Sequence, residues 1–332
     1  MHKNSNQIPV INSLRGFAAL IICLYHFVVT VKGYFTNEAL LDLFYFGRKG
    51  VQLFFIISGV VITLSMVRSN YRINRFTNYL LRRLIRIQPP YLVAIILSMF
   101  YLYARNFVTT SADVNLFPTI RDTFLNCTYL VPFIEGAEWI NPVFWTLSIE
   151  FQFYIFLAIC LPLALSEKTI LKWGFNSLIL IIPFLVSSSG YFFNWSAYFG
   201  MGIFYTLYIT NKYPFKEFVI LILLCSVVIY FKQGFIDLAI ALGALSIIHF
   251  SPKHSSRIGA FFGKISYSLY LVHLIIGAGF INFMSHRISS PIGKFLVIST
   301  GLFISILSAY LLWRLVERPS QNQSKKLKRD NN

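Results

Sequence analysis

Residues 11–27 read INSLRGFAALIICLYHF. The stretch opens a long apolar run, yet Arg15 and His26 sit inside it, eleven positions apart. At about 100° per residue, eleven steps make three turns and about 20°, so a helix turns both side chains to one face, roughly 16 Å apart along its axis. Ala19 and Ile22 lie between them on that face. In a bilayer this sets a fixed cation near one boundary and a titratable imidazole much deeper. Ionisable groups within a span are costly and face a bundle interior or a cavity. Two readings stand at this point. One is a snorkelling boundary arginine plus a histidine bonded to a neighbouring helix. The other is a polar stripe built for chemistry.

The remaining chain agrees with a membrane setting. Of its 332 residues, 56% are hydrophobic and only 12% charged, against about 25% charged in soluble domains. The first apolar run is too long for a cleavable leader, contains Arg15 and lacks a small-residue cleavage site before Lys32. The expected fold is all-α, a polytopic integral membrane helical bundle. Ten spans are expected near 9–31, 50–67, 88–105, 143–165, 170–188, 191–210, 214–231, 234–250, 264–284 and 294–314. Ser187 to Gly190 is the only break between the fifth and sixth, which predicts a tight helical hairpin. Pro89-Pro90 should start or break a helix. Residues 1–320 form the expected membrane domain, and 321–332 a basic cytoplasmic tail.

The net charge of +17 does not point to nucleic acid, because basic residues in membrane proteins first report topology. With both termini cytoplasmic, about 21 of the 29 Lys and Arg fall on the inner side. The largest inner cluster is Arg68, Arg72, Arg75, Arg82, Arg83 and Arg86. Guanidinium groups suit phosphates, so this patch fits a nucleotide-bearing donor such as coenzyme A. Topology and anionic lipid headgroups account for such a cluster equally well. The longest outer loop, about 106–142, carries Asp113, Arg121, Asp122, Glu135 and Glu138, and its middle, Thr123 to Phe133, is apolar enough to dip toward the membrane. Cys23, Cys127, Cys160 and Cys225 show no metal or redox spacing, and no motif supports metal catalysis.

Three further polar positions interrupt the spans. Glu150 follows FWTLSI on the fourth span, at the depth expected for His26 on the first. A carboxylate beside an imidazole favours its charged form and fixes its tautomer. The pair serves either as a general base acting on a hydroxyl or as a buried structural contact. Ser266, Tyr270, His273 and Gly277 make one polar, small face on the ninth span, which lines a substrate cavity or a helix contact. Ser58-Gly59 is a small polar step in the second span, suited to close helix approach or to a thin acyl group passing by.

Taken together, Arg15-x10-His26 resembles the Arg/Lys-x10-His signature of the membrane-bound acyltransferase-3 family. Phe54 to Ile62, Arg72 to Pro89, Phe144 to Tyr154 and Ile265 to His273 resemble further stretches of that family, in its order and over nearly the whole chain. The pattern is most similar to short O-antigen acetyltransferases without a fused SGNH domain. The resemblance implies transfer of an acetyl group from cytoplasmic acetyl-CoA to a sugar hydroxyl on a lipid-linked or polymeric surface glycan, in a bacterial inner membrane and without a metal. It implies that Arg15 and His26 are essential, that His26 is catalytic, that Glu150 is the important acidic residue, and that Arg72 and Arg75 belong to a cytoplasmic Arg-x-x-Arg element for the donor. Ser58, Tyr270 and His273 are then candidates for contact with substrate. One departure stands out: many members carry two adjacent glutamates where this chain has Glu150-Phe151. A transporter or flippase for a lipid-linked sugar or acylated metabolite is the competing reading, since intramembrane His, Glu and Arg also suit proton coupling.

Overall fold

The computed structural model describes residues 8–108, 117–254 and 256–329; Asp113 lies outside them. Among the described residues every regular element is helical. In chain order the helices are α1 (Val10–Val28), α2 (Glu38–Tyr45), α3 (Gly50–Arg68), α4 (Phe76–Val108), α5 (Ile120–Cys127), α6 (Trp145–Ala164) and α7 (Thr169–Leu185). There follow α8 (Phe192–Ile209), α9 (Phe215–Gln233), α10 (Phe235–Phe250), α11 (Arg257–Val272), α12 (Gly279–Ser285), α13 (Pro291–Leu312) and α14 (Arg318–Arg329). Each of the ten expected apolar segments is helical. Among the described residues six helical stretches are long and apolar enough to cross a membrane, and α7 and α10 are shorter apolar helices.

Two expected boundaries are corrected. Pro89-Pro90 neither starts nor breaks a helix: α4 runs for 33 residues straight through both. Each proline removes an N–H and so frees the carbonyl four residues back. Those carbonyls belong to Ile85 and Arg86, and membrane helices tolerate such losses. One residue on, the Ile87 carbonyl accepts from the Tyr267 hydroxyl at 2.9 Å. The ninth segment is not one regular helix either. α11 gives way to a π-helical turn over His273–Ala278, and α12 continues it. Such wide turns are rare and recur at functional sites.

The chain divides into two compact units. The first holds Met1–Ala18, Lys49–Leu81 and Ile149–Gly263. Its centre is α8 against α3, where Gly59 meets the Phe199 carbonyl and Gly202 meets the Ile56 carbonyl, so that either β-carbon would collide with backbone. Ser58-Gly59 therefore marks a close helix approach. Phe153, Phe192 and Phe199, all within 2% of full burial, stack beside this seam. The start of α11 uses the same device: Gly263 lies on the Asn12 backbone and Gly259 on Ser13, four residues apart in the small-xxx-small manner.

α3 stops at a defined signal. Asn70 adopts φ +46°, the left-handed conformation that Asn tolerates best after Gly. The Tyr71 N–H bonds the Met66 carbonyl at 3.0 Å and the Asn70 N–H the Val67 carbonyl at 3.1 Å, which closes the last turn. Tyr71 then anchors the turn by donating to the Ala158 carbonyl at 2.9 Å.

The second unit holds Ala19–Arg48, Arg82–Ser148 and Lys264–Asn332. Here α13 packs on the π turn, with Gly277 tight against Ser305 and Phe27. Within the long loop, Thr119 caps α5: its hydroxyl accepts from the Asp122 N–H at 3.0 Å and donates to the Asp122 carboxylate at 2.6 Å. Asn126, fully buried, donates to the Glu138 carbonyl and accepts from the Ile140 N–H, folding the loop back on α5. The basic tail is helical as far as Arg329, and Ser324 of α14 donates to the Arg82 carbonyl at 2.8 Å.

Candidate functional site

α1 is one continuous helix over Val10–Val28, so Arg15 and His26 do share a stripe, and both are half-buried. His26, one residue before Phe27, belongs to the second unit. Phe27 is fully buried and wedged on Gly277. That wedge brings the π turn to the end of α1. The His26 and His273 rings come to 5.1 Å between centroids, with the Tyr25 ring edge-on to His26 at 4.8 Å.

His273 is fully buried. Its Nδ1 lies 2.8 Å from the Tyr270 carbonyl and 3.2 Å from the Leu269 carbonyl. Carbonyls only accept, so this network assigns the proton to Nδ1 and leaves the Nε2 lone pair unused. Nε2 of His273 and Nδ1 of His26 are both buried without a hydrogen-bond partner. An unpartnered buried polar group costs about 1–3 kcal/mol and calls for an explanation. Two such nitrogens lie on rings whose centroids are 5.1 Å apart.

Tyr270, the next candidate on that face, is already engaged. Its hydroxyl lies 2.8 Å from the Thr146 hydroxyl and 3.1 Å from the Val143 carbonyl. Tyr270 therefore ties the π turn to the start of α6, and Thr146 is a partner that sequence reading did not single out.

Glu150 lies in the first unit and is described with its neighbours there. The Tyr154 hydroxyl donates to its Oε1 at 2.6 Å and the Ser58 hydroxyl at 3.3 Å. Tyr154 stands four residues on along α6, the spacing at which helical side chains meet, so that partner had a visible signal. Two hydroxyl donors hold the carboxylate in place. Arg72 and Arg75, also in the first unit, follow the anchored turn after α3. The Arg75 N–H bonds the Arg72 carbonyl at 2.9 Å in a single 3₁₀ turn, and both side chains are exposed. Their guanidiniums are thus presented by a fixed backbone. Among the described residues no cluster of His, Cys, Asp or Glu is able to hold a metal, and all four cysteines are free thiols.

Comparison with known proteins gives this arrangement its class. The acyltransferase-3 profile, described as an acyltransferase domain, matches residues 8–314. The protein named "Putative acetyltransferase ORF330" of Acidianus two-tailed virus is 27% identical over 300 residues, covering 82% of this chain and 84% of the viral one. The protein named "Putative O-acetyltransferase SACOL0978" of Staphylococcus aureus (strain COL) is 26% identical, covering 97% of this chain but only 58% of its own length. No solved structure matches this chain. The match spans nearly the whole chain and includes both histidines, the glutamate and the arginine turn: the chain belongs to the acyltransferase-3 family and is an acyltransferase.

Proposed function

We propose that this protein is an integral membrane O-acetyltransferase. It takes an acetyl group from cytoplasmic acetyl-CoA and places it on a sugar hydroxyl of a cell-surface glycan, with lipopolysaccharide O-antigen as the leading acceptor. Ten spans with both termini inside, in a bacterial inner membrane, give the basic turn carrying Arg72 and Arg75 to the donor side. There the guanidiniums hold donor phosphates, and Arg15 lies beside the path of the thioester arm. His26 accepts the hydroxyl proton as the sugar oxygen attacks the thioester carbonyl. The bond to sulfur breaks, and the thiolate leaves to be protonated. The Nε2 lone pair of His273 holds the approaching hydroxyl or the charged His26 ring. Glu150, its carboxylate fixed by Ser58 and Tyr154, is the acidic residue of this reading.

The observation that carries this reading is the pair of facing imidazoles with unused buried nitrogens, in a chain of this family. The test is transfer of labelled acetyl from acetyl-CoA to glycan by purified protein. His26→Ala abolishes transfer while the protein stays folded in the membrane. Full acetylation by that variant removes His26 from the mechanism, and uptake of unmodified solute into vesicles identifies a transporter instead.

A further inference from the structure

The loop that leaves α1 and the loop that enters α13 enclose a cavity of about 220 Å³, lined by Lys32, Gly33, Tyr34, Ser285, His286, Ser289 and Lys294. All of it belongs to the second unit. Its lining holds two lysines and a histidine, and no carboxylate. Lys294 is fastened rather than splayed outward: its ammonium donates to the Tyr34 carbonyl and stands over the Tyr34 and Phe35 rings, at 5.0 and 5.6 Å from their centroids. Tyr34 is only 4% exposed, and its hydroxyl is buried with no hydrogen-bond partner. Gly33 turns the chain there at φ +74°, with open space where a β-carbon would stand.

We propose that this cavity binds the carboxylate or phosphate of an acidic sugar in the acceptor glycan. The assignment rests on the reading of the protein as a glycan acetyltransferase. Two ammonium groups without an acidic neighbour select an anion. The hydroxyls of Ser285 and Ser289, with the unpartnered Tyr34 hydroxyl, add short donors and acceptors that match a polyol. A lipid phosphate needs none of these, since lysines that reach it from the interface suffice. Position agrees as well. α1 ends at Val28, two residues after His26, and the chain reaches the cavity four residues later. An anionic residue held here keeps a neighbouring sugar of the same glycan at the His26 end of the helix.

The experiment uses the full-length protein in detergent and methyl β-glucuronide as probe, with methyl β-glucoside as the neutral control, read by saturation-transfer NMR. The glucuronide binds and the glucoside binds at least about tenfold more weakly, as expected when charged hydrogen bonds decide recognition. K32Q lowers glucuronide affinity severalfold and K32Q/K294Q about tenfold or more. Lys32 is exposed, so K32Q tests the site even if the double variant misfolds. Equal binding of the two glycosides, or unchanged affinity in K32Q, overturns the proposal. Displacement of the glucuronide by phosphatidylglycerol, but not by phosphatidylcholine, in nanodiscs assigns the cavity to lipid headgroups and overturns it too. Acetyl transfer is scored on the same preparations: transfer without glucuronide binding rejects this site alone, and binding without transfer rejects the reaction alone.

Discussion

Asp237 is 1% exposed at the start of α10 and receives three donors from the first unit. The Lys49 ammonium forms an ion pair with it, and the Gln52 amide and the Tyr198 hydroxyl each reach Oδ1 at 3.1 Å. Replacing Lys49 by Met removes the cation and leaves a buried carboxylate with only neutral donors. The two side chains are 14% and 2% exposed, so water does little to relieve the loss. Breaking a pair this buried costs about 3–5 kcal/mol, which lowers the melting temperature by roughly 6–10 °C at about 2 °C per kcal/mol. D237N is milder, about 1–2 kcal/mol, because an amide oxygen still accepts from Tyr198 while Lys49, nearer the surface, turns to water. The double variant K49M/D237N is then less damaged than the sum of the two, by about 1–3 kcal/mol. Thermal unfolding of the purified protein in detergent, followed by tryptophan fluorescence across the four proteins of the cycle, measures all three quantities. Strict additivity, or K49M within about 1 kcal/mol of the parent, refutes the picture of a charge stranded by truncation.

H273N separates the two nitrogens of that ring. Asn Nδ2 reproduces the donor to the Tyr270 carbonyl, so the melting temperature stays close to the parent value, but the unpartnered Nε2 lone pair is gone. Acetyl transfer falls by about tenfold or more at unchanged donor affinity, and full kcat in a folded H273N protein removes Nε2 from the site. On α5, the Thr119 hydroxyl holds the Asp122 carboxyl below its usual range, with the Glu138 N–H and Arg121 adding to it. A depressed carboxyl contributes stability above its unfolded pKa and loses it as pH falls through the folded one, so the loop around α5 loosens only on acidification below the ordinary carboxylate range. Hydrogen exchange across 120–138 reads this directly. T119A costs about 1 kcal/mol of capping and moves the loosening to higher pH; an unmoved acid transition shows that the cap does not set it.

Those elements also show where sequence reading succeeds and where it stops. The Arg15–His26 stripe was legible because it depends only on helical period, and α1 keeps that period throughout. The Glu150–Tyr154 contact went unread although it is equally local, four residues apart on α6. Lys49 and Asp237 stand 188 positions apart, and no local pattern announces their meeting. His26 and His273 meet only because Phe27 seats on Gly277, which is a fact of packing. Pro89-Pro90 misled because a local rule for breaking helices gave way to the 33-residue course of α4. The π turn hid too, since Ser266 to Gly277 reads as ordinary α spacing until the backbone widens at His273.

The contact of Gly59 with Gly202 has a corollary for traffic through the protein. Where two main chains touch, the joint between α3 and α8 leaves no room for even a β-carbon at these two positions. On the proposed reaction, an acyl arm bound for a sugar takes another route, and the chain length it tolerates is fixed by whatever walls that route. Enlarging either glycine would push the joint apart.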